Sequence, residues 1–345
     1  MISNLQILRA LAAINVVFFH VLVWGKNWYG IDAPYLGYMR GWGESGVDVF
    51  FVMSGFLLVY SQARNPRGVW DFGVNRILRI VPLYWILTIL FAVIDISSPG
   101  ILTSAPTTPE FLLSSLGFLS RMTGHAYPLM IVGWTLDFEM FFYLIIALGI
   151  LVFGHGKTYT VTAAIFLLFV TMNWADALII EFLFGVLIGL LYVRDSNGKL
   201  ARTLLALGVV LLFASIHISD EQWNSWRLIG AEYGLEASKN DLRLVIWGVP
   251  SALIVYGVVN LKQIKTPVLL FLGNCSYSIF LVQAIFLPLA LRLFLPYTES
   301  LNVDIGSLLI VIFTIGVGVA THYLMERPLA LMAKQLQSII SKQPV

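Results

Sequence analysis

Apolar runs long enough to cross a bilayer recur along almost the whole chain, and no other feature constrains its fold as strongly. A hydrocarbon core about 30 Å thick needs roughly 20 apolar residues per helical span. Ten runs approach that length, over residues 5–25, 46–62, 77–94, 129–153, 159–174, 177–193, 201–218, 243–261, 276–296 and 305–325. The expected fold is an all-α integral membrane protein of about ten transmembrane helices. Composition agrees, with 59% hydrophobic and 12% charged residues against roughly 25% charged in a soluble domain. A net charge of +2 gives no reason to expect a nucleic-acid partner, and the single cysteine, Cys275, rules out an internal disulfide or a multi-cysteine zinc site. The first run carries Arg9 and no small-residue cleavage site, so it reads as a retained span and not a signal peptide.

An even number of spans puts both termini on one side, and basic residues near span ends mark the cytoplasmic face. Arg64, Arg67, Arg76 and Arg79 flank the second and third runs. Lys157, then Arg194, Lys199 and Arg202, then Lys262 and Lys265, then Arg327, Lys334 and Lys342 fall on the face that holds the termini. The opposite face carries the acidic loop with Asp220, Glu221, Glu232, Glu236 and Asp241. Both termini are therefore expected in the cytoplasm. Two outer segments stand apart. A Pro/Ser/Thr stretch, 97–109, leads into 111–119, apolar but too short to cross, and 219–241 mixes Trp223, Trp226 and Tyr233 with charges, as interfacial segments do. Both also fit as ordinary outer loops. Residues 1–328 form the expected membrane domain. In the tail, 329–345, Leu331, Met332, Leu336, Ile339 and Ile340 repeat at near-helical spacing, as in a short helix lying on the inner leaflet. No internal repeat is visible, which disfavours transporters built from two related halves.

Ionisable groups inside hydrocarbon cost several kcal/mol unless paired or hydrated, so each is a functional candidate. Arg9 and His20 share a face of the first span, roughly 16 Å apart along its axis, with Arg9 near the cytoplasm and His20 in the outer half. Arg9 also fits as a snorkelling anchor, and His20 as a satisfied core histidine. Arg76 and Arg79 lie on one face at the inner end of the third span. Guanidinium forks suit phosphate oxygens, so Arg9, Arg76 and Arg79 together suit an anionic, phosphate-bearing donor; a plain positive flank is the alternative. Asp48 and Glu139 are acids in the outer half that can orient an imidazole acting as general base. Asp48 alternatively caps its helix, and Glu139 alternatively serves a structural ion pair. Cys275 reads as incidental. His125, His155, His217 and His322 lack zinc-site spacing, so no metal is expected.

Six segments in this order resemble the bacterial acyltransferase family 3 of membrane proteins, in particular exopolysaccharide acetyltransferases of the ExoZ type. They are LQILRALAAINVVFFH (5–20), GVDVFFVMSGFLL (46–58), NRILRIVPLYW (75–85), WTLDFEMFFY (134–143), GNCSYSIFLVQ (273–283) and Glu326 to Pro328. The Arg9/His20 spacing and the Arg76/Arg79 pair carry most of the resemblance. Two departures stand out: Met140 and Phe141 follow Glu139 where the family usually continues with an acid or Gln, and Gln283 stands where many relatives have His. The resemblance implies ten core helices in the bacterial inner membrane, an acyl-CoA donor, acetyl-CoA above all, and a sugar hydroxyl on a glycan or lipid-linked acceptor. On this reading Arg9, Arg76 and Arg79 bind acyl-CoA, His20 is the general base or a transient acyl carrier, and Glu139 or Asp48 orients it. A transporter or flippase for a lipid-linked sugar or organic anion, with His20 and the acids as a proton relay, is the second reading. A scaffold in a polysaccharide-synthesis complex is the third.

Overall fold

A computed structural model describes residues 2–103, 106–125, 127–172, 174–195, 198–217, 242–298 and 300–340. The segment 219–241, read above as interfacial, lies outside the described residues. Among these the chain is all helical. The α-helices are α1 (Ser3–Tyr29), α2 (Gly46–Arg64), α3 (Val69–Ser97), α4 (Pro109–Leu116), α5 (Trp134–Thr171), α6 (Ile179–Arg194), α7 (Ala201–Ala214), α8 (Val249–Asn260, entered through a π-helical turn at Leu244–Gly248), α9 (Pro267–Asn274), α10 (Ser276–Phe294), α11 (Val303–Thr321) and α12 (Arg327–Ile340).

Among the described residues six helical segments are long and apolar enough to cross a membrane: Ser3–Tyr29, Leu36–Arg64, Val69–Ser97, Ile131–Thr171, Ser276–Tyr297 and Val303–Gln335. The other four expected runs also fold as helix, but differently. Run 159–174 is the second arm of α5, which bends at Gly154, where φ 65° and ψ −179° suit only a residue without a Cβ. Runs 177–193 and 201–218 become α6 and α7, of 16 and 14 residues. Run 243–261 becomes the short apolar helix Leu244–Asn260. At 1.5 Å per residue a 14-residue helix reaches only about 21 Å. Apolar length in sequence overstates helical length because the run also includes the turn that ends it.

Cα packing divides the chain into two units that alternate along the sequence. The first holds Met1–Phe19, Pro34–Val69 and Leu144–Asn274; the second holds His20–Ala33, Trp70–Tyr143 and Cys275–Val345. In the first unit α2 and α6 meet backbone to backbone. A Cβ on Gly55 would lie 2.0 Å from the Phe182 carbonyl oxygen, and one on Gly185 would lie 2.0 Å from that of Val52. Lipid gives helices no hydrophobic reason to associate, so contact this close supplies van der Waals attraction instead. Val52, Met53, Phe56, Val255 and Val259 fill the core around this crossing. Asn4 ties the start of α1 to the end of α8, donating to the Val258 carbonyl (3.0 Å) and accepting from the Ile264 amide (2.7 Å).

The second unit is knit by polar bonds that its apolar surroundings strengthen. The Tyr84 hydroxyl of α3, fully buried, donates to the Ser115 carbonyl at 3.1 Å, and the Ser115 hydroxyl accepts from the Leu129 amide at 2.8 Å. These bonds clamp α4, the helix too short to cross, between α3 and the approach to α5. Thr108 caps α4 by accepting from the Phe111 amide. On the other side of the unit α10 packs on α11, with a Cβ at Gly318 placed 2.5 Å from Ile279 Cα. The tail segment is helical as far as Ile340, and Leu331 and Met332 are exposed.

Candidate active site

His20 lies two-thirds of the way along α1, within the second unit, half-buried. Its Nδ1 is 2.8 Å from Gln283 Oε1 of α10. The other end of that amide is also committed, since Gln283 Nε2 donates to the Phe280 carbonyl at 2.8 Å. With the amide held this way its oxygen faces the ring, so Nδ1 carries the proton and Nε2 is the basic nitrogen. Trp24 lies against the imidazole, ring centroids 4.4 Å apart. Gln283, one of the two departures from the family pattern, thus sets the tautomer of His20. Its role is invisible in sequence because 263 positions separate the partners.

Arg76 and Arg79 lie on α3 of the same unit, half-buried and exposed respectively. The Arg76 guanidinium stands over the Tyr143 ring at 4.8 Å and the Phe72 ring at 5.5 Å. The Tyr143 hydroxyl donates to Glu139 Oε1 at 2.5 Å. The charges of Glu139, Arg76 and Arg79 all bear on that hydroxyl. The sequence reading groups Glu139 with His20; the structure gives it Tyr143 as a partner and through Tyr143 joins it to the arginines. Tyr143, one helical turn after Glu139, lies inside a quoted segment, yet sequence alone does not single it out.

Two more segments from the resemblance converge here. Tyr277 at the start of α10 donates to the Ile80 carbonyl, next to Arg79, at 2.7 Å. Ser278 donates to Glu326 Oε2 at 2.6 Å, and His322 Nδ1 is 2.8 Å from the same oxygen. His322 and Glu326 bound a π-helical turn between α11 and α12, so this pair holds the last two segments together. Serine here faces the carboxylate and not the imidazole, so the three do not form a nucleophilic triad. Nearby Cys275 is buried, and that burial first and the Glu326 charge second push its thiol up to about 11. It is a protonated, inert thiol at neutral pH.

Arg9 and Asp48 belong to the first unit. Arg9 is half-buried, about three turns before His20 on the uninterrupted α1. Asp48, wholly buried, takes a two-pronged ion pair from Arg243, Nε to Oδ1 at 3.0 Å and Nη2 to Oδ2 at 2.8 Å, while Arg243 Nη1 reaches Glu44. Buried Glu181 bears on both Asp48 and Arg243. Arg243 is the partner sequence reasoning missed. An acid inside hydrocarbon signals that a partner exists, but nothing in the sequence selects a base 195 positions away. Among the described residues no group of three or more His, Cys, Asp or Glu is placed to hold a metal ion.

The chain matches the acyltransferase domain family (Acyl_transf_3) over residues 2–327. It is similar to the exopolysaccharide production protein ExoZ of Rhizobium meliloti (strain 1021), with 30% identity over 315 residues, covering 83% of this chain and 89% of the relative. No solved structure matches it. A multi-pass helical chain matched over nearly its whole length, with histidine, arginines and carboxylate held on the helices of its second unit, belongs to the acyltransferase 3 family and is an O-acyltransferase.

Proposed function

We propose that the protein transfers an acyl group, in the first instance acetyl, from acyl-CoA to a hydroxyl of an exopolysaccharide or another cell-surface glycan. In this reading it crosses the bacterial inner membrane ten times with both termini cytoplasmic, residues 1–328 form the acyltransferase domain and 329–345 a tail along the inner leaflet. One observation carries the reading. His20 is held by Gln283 with Nε2 as its basic nitrogen, in a unit whose α3 also presents Arg76 and Arg79. The likeness to an exopolysaccharide production protein supports the glycan acceptor.

Arg9, Arg76 and Arg79 are the donor-binding residues. Exposed Arg79 and ring-braced Arg76 suit phosphate groups, since a planar guanidinium fork matches phosphate oxygens and stacking fixes its plane. His20 Nε2 takes the proton from the acceptor hydroxyl as the oxygen attacks the thioester carbonyl. The C–S bond then breaks, and the imidazolium returns its proton to the departing thiolate. Transient acylation of His20 uses the same nitrogen and the same binding sites. Glu139, partnered by Tyr143, is the acid that offsets the charge of Arg76 and Arg79. Asp48, engaged with Arg243, acts at a distance by positioning α2.

Protein in nanodiscs, given acetyl-CoA and a lipid-linked oligosaccharide, should release CoA over many turnovers only when the oligosaccharide is present and leave an ester on it. CoA release without ester, or glycan movement without either, defeats the reading.

A further inference from the structure

Beyond His20, α1 carries an aromatic column that the reaction itself does not require. Trp24 packs on His20 and Trp28 packs on Trp24, with ring centroids 4.7 Å apart and an interplanar angle of 16°. Trp24 is buried at 4% exposure, whereas Trp28 is 49% exposed. The column ends in a cavity of about 390 Å³ where α1, α3 and α10 finish, wholly within the second unit; Trp24, Trp28, Tyr29, Thr103, Ala284 and Arg292 line it among others. This volume falls in the usual range of roughly 300–1,000 Å³ for small-ligand sites.

The lining chemistry is mixed in a particular way. Trp28 offers the ring face turned away from Trp24, and the Arg292 guanidinium lies over the Tyr29 ring, 5.9 Å from its centroid. Pro288 has no N–H, so the carbonyl of Ala284, a cavity-lining residue one turn earlier in α10, lacks its α-helical donor. Thr103 adds a hydroxyl. Arg292 is steadied by the Tyr29 hydroxyl at 3.4 Å and by the Gly100 carbonyl, bonds made through Nε and Nη2. Two of its five N–H donors are thereby used, and the rest belong to a side chain that lines the cavity. A lipid tail has no use for the cation and the acceptors, and a small anion has no use for the rings. A pyranose meets both, with C–H faces that stack on aromatic rings and hydroxyls that need acceptors, and a carboxylate on the sugar matches the guanidinium fork.

We propose that this cavity is the acceptor subsite and that it selects an acidic glycan. A pyranose stacks on Trp28, its carboxylate rests on Arg292 held over Tyr29, and the hydroxyl to be acylated points along the Trp24 column toward His20. The inference rests on the outward placement of His20 proposed above.

Two matched oligosaccharides, one all glucose and one carrying a glucuronate, test it with full-length protein in nanodiscs. Calorimetry reads binding, and acetyl transfer reads KM and kcat separately. Wild type should prefer the acidic probe. Arg292→Gln should raise KM for it about tenfold with kcat within about twofold, Arg292→Lys should recover part of the preference, and Trp28→Ala should weaken both probes alike. CoA affinity, unchanged in all three, shows that they fold. Equal wild-type affinity for the two probes, or an unaltered KM in Arg292→Gln, overturns the subsite while transfer itself stands. The expected binding pattern without any ester formation supports the subsite and defeats the proposed reaction.

Discussion

The two units each keep charge inside an apolar helical body, and they do so in opposite ways. In the first, Arg243 closes on Asp48 and Glu44 with side-chain exposures of 3% for Arg243, 0% for Asp48 and 23% for Glu44. In the second, Arg76 lies half-buried over aromatic rings, Arg79 is exposed and His20 is half-buried beside a neutral amide. Guanidinium groups sealed against carboxylates have no capacity left for a ligand. A guanidinium braced by rings keeps its charge over their faces. The two units thus hold charge with different neighbours: carboxylates around Arg243, aromatic rings and a neutral amide around Arg76 and His20.

The comparison breaks first at His20. His20→Ala should cut acyl transfer by about 10²-fold to 10⁴-fold, the usual worth of a general base, while acyl-CoA binding and thermal stability hold; near-wild-type ester formation by the folded variant would falsify the catalytic role. Next comes the sealed cluster. Arg243→Met strands buried carboxylates and should cost about 3–5 kcal/mol of stability, read as an earlier thermal transition in detergent. Should the variant melt like wild type yet lose activity, the Arg243 cluster serves the reaction and not the fold.

The donor side gives a smaller effect. Arg76→Ala or Arg79→Ala should weaken acyl-CoA binding by about 1.5–3 kcal/mol, the worth of a charged hydrogen bond, with partial recovery in the lysine variants. Equal affinity in both alanine variants removes the phosphate cradle. Gln283→Ala is the mildest, expected to lower kcat about tenfold by freeing the imidazole to rotate, with acceptor KM unchanged. A drop in folded yield in place of a drop in kcat would make Gln283 a packing residue.

What the sequence makes legible follows from how local each signal is. Arg9, His20, Arg76 and Arg79 stand out because charge inside an apolar run is visible at a glance and helical spacing is arithmetic. The break in α5 at Gly154 and the short α4 are legible for the same reason. Gln283 and Tyr143 lie in quoted segments yet show no charge, and their roles are contacts with other helices. Arg243 reads as the edge of a span until Asp48 is seen beside it. Helix lengths are the least legible, since apolar composition continues through turns and α7 stops at Ala214 inside a run that goes on to residue 218.

The Asp48–Arg243 pair also bears on how the protein is made. Synthesis at about 5–20 residues per second separates the two by roughly 10–40 s. For that interval α2 stands in or beside the bilayer with an acid whose partner has not been translated. Since the units alternate along the chain, neither can close until its last segment leaves the ribosome. Nascent chains halted before residue 243 should therefore be marked by quality-control proteases, and insertion chaperones should dwell on α2 longer than on its equally apolar neighbours.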